Sequence, residues 1–390
     1  MSSAPRPTRV ARRRRRRPVL RRAVLSAVSF TVLLGLVSAG VVAYAYAKYN
    51  GQIHRIAALQ TKDPNIKEPA KQLHAANFLI IGSDTRQGAD SGFGSDPGQR
   101  SDTTILVHLS ADHRRASVIS IPRDAWVEIP RCQGLDGHLV AAHSEMFNSA
   151  FSIGGAKCTI ATVQKLTGIA VTHYVQIDFV GFRNVVNALG TVTICSPKAV
   201  DDPNSHLKLH AGDNQLNGSQ ALHYVRARET LGDGSDLGRI KRQQQFLGVV
   251  LRQAMSGSLL SNPVKLTSFL DAATRSITVD NGTTFSDLRT LASSLHGLNP
   301  KRVVFYTAPI ANRDYSPPGT TYSGKVLLDA KKGALLYRSI IEDGTSASKS
   351  PSPYPSTSTV VKPKSNVPQP TVALVSRSIS MKPPRRRSSL

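Results

Sequence analysis

Asn77-Phe-Leu-Ile-Ile-Gly82-Ser-Asp84-Thr-Arg86 is an apolar run that closes on a glycine and then on charge. A short apolar run bounded by polar loops spells a buried strand. Two more follow, over 103–109 and 116–121, the second ending at Pro122-Arg123-Asp124. The commonest arrangement of neighbouring strands is consecutive pairing, here antiparallel. The end of the first strand, the start of the second and the end of the third then share one edge of a sheet. That edge gathers Asp84, Arg86, Arg100, Asp102, Arg123 and Asp124.

Working outward, 147–166 reads as helical in its second half. Residues 172–177 and 191–195 read as strands, with a helix over 179–189 between them. A short helix over 218–224 precedes a long one over 237–255. Two further helices fall in 263–299, and a last strand in 302–307. Strands alternating with helices predict a layered α/β domain over 75–345. That length is enough to bury a sizeable core.

The second charged stretch is Ala221-Leu-His-Tyr-Val-Arg226-Ala-Arg228, a glycine-broken loop, then Asp236-Leu-Gly-Arg239-Ile-Lys-Arg242-Gln243. Ser235 or Asp236 can cap the helix that begins here. Leu237, Ile240, Leu247 and Leu251 mark its inward face, and Arg239, Gln243 and Phe246 a neighbouring one. Arginines brought to a helix start suit a phosphate ligand. The guanidinium fork matches phosphate oxygens in pairs, and the helix N-terminus adds a positive dipole. A solvated basic face is the plainer alternative, weakened by the Gly-Asp-Gly break between the arginines.

The net charge of +25 over 390 residues is uneven. Residues 1–22 hold ten arginines and residues 346–390 hold eight Lys or Arg, neither with an acid, which leaves +7 for the body between. Residues 23–47 carry no charge and are rich in Val, Leu and Ala, long enough to span a bilayer. The preceding arginines favour a cytoplasmic N-terminus and an extracytoplasmic domain. Ala43-Tyr-Ala45 and Ala45-Tyr-Ala47 resemble cleavage sites, the signal-peptide alternative, but a signal's apolar region is shorter. Residues 48–74 read as a polar connector. The Ser/Pro/Lys-rich tail after 345 has little to bury and is expected to be disordered.

The basic run argues weakly for nucleic acid. It lies on the cytoplasmic side of the span and lacks aromatics to stack on bases. Three cysteines allow three pairings. Outside the cytoplasm one disulfide is plausible, and Cys132 with Cys158 is the working hypothesis, since both lie between the third strand and the next helix. Cys195 would stay free. His108 and His223 read as packed, satisfied histidines.

Two carboxylates, Asp84 and Asp102, among arginines can hold Mg²⁺ against phosphate oxygens. The alternative is that they only pair with Arg86, Arg100 or Arg123. There is no Walker motif, no nucleophile triad and no dinucleotide fingerprint.

Taken in order, these five motifs resemble the LytR-CpsA-Psr family of cell-wall enzymes, actinobacterial in type: Asn-Phe-Leu-Ile-Ile-Gly-Ser-Asp84-Thr-Arg86, Arg100-Ser-Asp102-Thr, Ser-Ile-Pro-Arg123-Asp124, Ala-Leu-x-Tyr-Val-Arg226-x-Arg228 and Asp236-x-x-Arg239-x-x-Arg242-Gln243. The resemblance covers 75–345. It implies a three-layer α/β/α sandwich with a mixed central sheet and an apolar tunnel for a polyprenyl chain. It implies transfer of a glycopolymer, with its linking phosphate, from a polyprenyl-pyrophosphate carrier to peptidoglycan at the membrane. By the same motifs Asp84 and Asp102 would ligate Mg²⁺ or Mn²⁺. Arg100, Arg123, Arg226, Arg228, Arg239 and Arg242 would hold pyrophosphate, with Gln243 beside them. Arg86, Asp124 and Asp236 would bind substrate, or Asp124 and Asp236 would only orient arginines. A lipid-pyrophosphate pyrophosphatase could use the same site with water as acceptor. A non-catalytic polyprenyl-lipid carrier would need the tunnel but not the paired carboxylates.

Overall fold

A computed structural model describes residues 16–60, 62–84, 101–203, 205–227, 236–254, 256–298 and 302–342. The chain opens with helix α1 (Arg16–Gln52), whose apolar length is enough to cross a membrane. The strands β1 (His54–Ile56), β2 (Ala76–Ser83), β3 (Ser101–Leu109), β4 (Ala116–Ile121) and β5 (Ala125–Ile129) follow. Helices α2 (Ser149–Thr167), α3 (Phe179–Leu189), α4 (Gly218–Arg226) and α5 (Asp236–Ala254) come next.

The main sheet runs β1, Ile277–Asp280, His173–Ile177, β2, β3, β4, Val303–Thr307. β2, β3 and β4 pair antiparallel, as their spacing predicts. His173–Ile177 runs parallel to β2, and Val303–Thr307 parallel to β4, so the sheet is mixed. A second sheet, Ile310–Tyr315, Lys325–Leu328, β5 and His143–Met146, shares a core with it through Ala125, Val127 and Ile129 of β5.

Side chains alternate across each strand, so one strand serves both faces. On one face Leu79, Ile81, Leu106 and Ile119 are fully buried against Phe151, Ile160 and Val163 of α2 and Tyr337 and Ile340 of Ala330–Ile341. On the other, Phe78, Ile105, Val107 and Val118 meet Leu247 of α5 and Leu288 and Leu291 of Phe285–Gly297. Helices on both faces make the three layers. A separate cluster joins α3, α4 and α5 through Val186, Tyr224 and Phe246 to the ribbon of Val192–Ser196 and Gly212–Leu216.

Several elements differ from the sequence reading. α2 is helical along its whole length, with a break at Gly154 and Gly155 rather than a late start. Gly155 sits at φ 59°, and a Cβ on Gly154 would fall 2.4 Å from the Gln133 carbonyl oxygen, so only glycine fits the break. The two helices in 263–299 form, but Ile277–Asp280 between them is a strand. Val303–Thr307 is not the last strand, because Ile310–Tyr315 and Lys325–Leu328 follow it. The 48–74 connector is built into the domain: β1 joins the sheet, Tyr49, Ile53 and Ala58 are buried, and Gln72 Nε2 donates to the Gly168 carbonyl at 3.1 Å. The disulfide joins Cys132 to Cys158, and Cys195 is free and exposed. The Ser/Pro-rich tail and the first fifteen residues lie outside the described residues.

Candidate active site

Antiparallel pairing puts the end of β2, the start of β3 and the end of β4 at one edge. The parallel neighbours bring their carboxyl ends to the same edge, the place where open α/β sheets hold ligands. α3 begins there, capped by Asp178, which accepts from Gly181 N–H.

Local pairing is irregular at this edge. Gly82 faces Thr103, but Ser83 faces Ser101, so Asp102 is the extra residue of a β-bulge in β3. Bulges re-aim side chains beside functional sites. Unbroken alternation would put Asp102 on the Leu106 side of the sheet. With the bulge, Asp102 and Thr103 line a narrow cleft with Thr104, Ser120, Ile121 and Arg123 and with Arg239, Ile240 and Gln243 of α5.

Charge is paired across this cleft. Arg123 Nη1 donates to Asp102 Oδ1 at 2.7 Å, and Arg123 Nε lies 3.5 Å from Asp124 Oδ2. The Arg123 carbonyl accepts from Asn148 N–H, which fixes the turn after β4 to the start of α2. Asp102 therefore does pair with arginine, and Asp124 orients the same guanidinium. Arg239 is only 3% exposed at the cleft wall. Gln244 Nε2 ties α5 to the sheet through Ser120 Oγ at 2.8 Å and the Tyr306 carbonyl at 3.1 Å. Burial raises the pKa of the Tyr306 and Tyr224 hydroxyls, with Arg242 opposing the shift at Tyr224, so both stay protonated at neutral pH.

Asp84 is buried at 8% exposure, one residue beyond Ser83. The Tyr174 hydroxyl donates to Gln176 Oε1 at 2.9 Å, and Gln176 Nε2 donates to Ser83 Oγ at 3.0 Å, a chain that fixes the end of β2. Ser101 Oγ and Thr104 Oγ1 on β3 are buried without a hydrogen-bond partner among the described residues. Asp84, just past the end of β2, and Asp102 of β3 offer the hard-oxygen donors that Mg²⁺ takes. No group of three or more His, Cys, Asp or Glu that could hold a metal occurs among the described residues. The fit thus rests on two carboxylates, with water and phosphate oxygens filling the remaining positions, as Mg²⁺ prefers.

The arginine stretch folds differently from its spacing. The buried face of α5 carries Arg239, Ile240, Arg242 and Phe246, while Leu237, Leu247 and Leu251 are half-exposed. Phe246 is drawn inward by Phe182 and Tyr224, at 5.7 and 6.0 Å between ring centroids. Arg242, expected on phosphate, donates Nε to the Tyr224 carbonyl at 3.2 Å and Nη2 to the Ala227 carbonyl. Gln243 Nε2 donates to the Val225 carbonyl at 3.2 Å. These carbonyls end α4, where the helix leaves acceptors open and favours positive charge. Arg242 and Gln243 therefore brace the helix that presents Arg226. Arg226 itself stacks over the Phe179 ring, 4.5 Å from its centroid, at the start of α3.

Arg86, Arg100 and Arg228 lie outside the described residues, and Asp236 is the first residue of α5. His108 is satisfied, its Nδ1 2.7 Å from Asn77 Oδ1. The sequence reading missed Gln244, Gln176 and Phe179. The signal for the first two is a glutamine on an otherwise apolar face.

The family model described as LytR_cpsA_psr family matches residues 41–332. The cell wall biosynthesis protein LcpA of Corynebacterium glutamicum is 32% identical over 267 residues, 62% of this chain and 51% of that protein. The chain spans about half the length of the Corynebacterium relatives it matches. The polyisoprenyl-teichoic acid–peptidoglycan teichoic acid transferase TagU of Bacillus cereus is 27% identical over 235 residues, 59% of this chain and 71% of that one. Among solved structures, the LytR-Csp2A-Psr enzyme from Actinomyces oris shares the fold, with a TM-score of 0.53 at 23% identity over 74% of this chain and 95% of that chain.

Proposed function

The chain belongs to the LytR-CpsA-Psr family, and on that premise we propose that it is a membrane-anchored transferase. It moves a glycopolymer, with its linking phosphate, from a polyprenyl-pyrophosphate carrier to peptidoglycan. The observation that carries this reading is the cleft itself. Bulged Asp102, the Arg123 paired to it, and buried Arg239 meet where β2 and β4 end and β3 begins. The printed names of the relatives, a cell wall biosynthesis protein and a teichoic acid transferase, support the substrate class.

In the reaction, an acceptor hydroxyl oxygen bonds to the glycan-proximal phosphorus and gives up its proton to solvent. The bridging P–O bond breaks, and polyprenyl phosphate leaves with the electron pair. Arg123, Arg226 and Arg239, with Arg100 and Arg228, neutralise charge on the pyrophosphate as it redistributes. Burial of Arg239 and the stacking of Arg226 keep their guanidinium planes in place before substrate arrives. Asp84 and Asp102 would hold a divalent cation, which supplies Lewis-acid charge to phosphate oxygens. The lipid chain finds its apolar surface on the α5 side of the sheet. There Ile80, Val175, Leu247, Leu288, Leu291 and Val303 remain only partly buried. The site faces outward, with the arginines before α1 in the cytoplasm.

The test uses the full chain in lipid vesicles with Mg²⁺, a long-chain pyrophosphate-linked glycan and peptidoglycan. Glycan should become bound to peptidoglycan, and chelation should stop it. Phosphorylated glycan released equally with and without acceptor would instead identify a pyrophosphatase. No turnover of the donor in any form would sink the enzymatic reading. A reporter fused after residue 60 should be active only outside the cytoplasm.

A further inference from the structure

The membrane helix does not end in a hinge. Only Ile53, 4% exposed, separates α1 from β1, and β1 pairs in parallel with Ile277–Asp280 at the rim of the main sheet. The last turns of α1 are fastened as well. Lys48 Nζ lies 2.9 Å from Asp271 Oδ1. Gln52 Nε2 donates to Asp271 Oδ1 at 3.3 Å, and Gln52 Oε1 accepts from Thr274 Oγ1 at 2.9 Å. Tyr49 and Tyr46 stand against Phe285, with ring centroids 5.6 and 6.3 Å apart. Phe285 N–H donates to Asn50 Oδ1 at 3.1 Å. The end of α1 thus grips Pro263–Arg275 and the first turn of Phe285–Gly297 together.

The place of this grip matters. The uncharged stretch of α1 ends at Ala47, so Gln52 stands only about 7.5 Å beyond it at 1.5 Å per residue. The grip therefore begins where the helix would leave a bilayer. Phe285–Gly297 is also the helix that lays Leu288 and Leu291 over the partly covered face of the sheet. Those two residues lie about 5 and 9 Å along its axis from Phe285. One helix therefore touches the membrane anchor at one end and the apolar side of the site along its length.

We propose that this dock is a positioning device for a donor with a long membrane-embedded lipid chain. It rests on the carrier reading above. α1 holds the domain at one height and one rotation over the bilayer. The partly covered face then opens beside α1, and the lipid chain reaches it along Leu288 and Leu291 without crossing water. Lys48, Tyr49, Gln52, Asp271, Thr274 and Phe285 are positioning residues.

The experiment compares two donors on the full chain in vesicles: a long-chain pyrophosphate-linked glycan in the same bilayer, and a short-chain water-soluble one. Inserting Gly-Ser-Gly between Ile53 and His54, or combining Lys48→Ala with Gln52→Ala, should lower transfer from the long-chain donor about tenfold or more, the scale of a misplaced site. Transfer from the short-chain donor should change by less than about twofold, as for loss of a half-exposed ion pair. Combining Lys48→Asp with Asp271→Lys should recover most long-chain activity relative to Lys48→Asp alone. Equal losses on both donors, or no loss on either, would overturn the proposal. The dock itself is checked without activity. In a Cys195→Ser background, Gln52→Cys with Thr274→Cys should cross-link in vesicles under mild oxidation, and failure to cross-link overturns the dock. If the wild-type chain uses neither donor while the cross-link forms, it is the carrier reading that has failed, and the lipid role falls with it.

Discussion

Leu79, Ile81, Leu106 and Ile119 on one face of the main sheet are shut from solvent, whereas Ile80, Val175, Leu247, Leu288, Leu291 and Val303 around the other remain partly exposed. The strands supply both faces alternately from equally apolar residues, so hydrophobicity does not set the difference. Cover does. α2, tied at Cys158 to Cys132 of the segment after β5, and Ala330–Ile341 close the first face. α5 and Phe285–Gly297 lie over the second, burying Phe78, Ile105, Val107 and Val118 but leaving the residues around them partly exposed. Folding free energy is concentrated on the closed face, and the looser face is the one we propose for the lipid chain.

The sharpest way to break this contrast is a pair of matched truncations. Leu106→Ala removes a fully buried side chain and should destabilise by about 2–5 kcal/mol. Leu291→Ala, already half-exposed, should cost under about 1 kcal/mol, because little cavity is left and less area returns to water. Denaturant unfolding of the two variants side by side checks this, and equal losses would mean that the faces do not differ energetically. Next in size is the disulfide. Cys158→Ala opens a loop of 26 residues, which should lower stability by about 3 kcal/mol with the site's activity retained at temperatures where the fold persists.

On the looser face the readout changes from melting to turnover. Arg239→Ala should slow transfer about ten- to a hundredfold, the loss of one charge-assisted bond to phosphate, or roughly 1.5–3 kcal/mol. Arg239→Lys should recover part of this only, since lysine keeps the charge but not the fork. Near-wild-type transfer by both variants would remove the arginine from the mechanism. The smallest effect is in pH. His173 stacks on Phe78, its ring 4.3 Å away, and burial holds its pKa below the ordinary value, with Asp287 and Asp280 opposing. The unfolded chain then takes up the proton first as pH falls. This contribution to stability is complete above about pH 6.5 and is lost as pH drops below it toward the depressed folded value. His173→Gln should flatten that acid limb in melting curves from pH 7.5 to 5.5, and an unchanged slope would place the titration elsewhere.

Much of this was legible in the residues. Three apolar runs ending in charge gave the paired strands and their shared edge, because period-2 burial and local pairing leave few options. The Cys132 to Cys158 link was reachable from position alone. The face of α5 was not, because its inward side is fixed by what waits there. Tyr224 and Phe182 take Phe246, and the carbonyls ending α4 take Arg242. Burial by a distant partner leaves no mark in helical spacing. Short strands such as Ile277–Asp280 are equally silent, since four residues between two helices carry too little period to read. The bulge was invisible too, although both of its flanking motifs were found.

That bulge is a phase slip of one residue. Everything in β3 after Asp102 keeps step with β2, and everything before it is out of step by one. Deleting one residue at 102–103 would bring the two strands back into register without touching the core beyond Thr104. The acid would then be gone, or would stand in the place of Thr103 opposite Gly82, with Ser101 still facing Ser83. The strand would remain a good strand, and the cleft would have lost one of the two side chains that the slip presents to it.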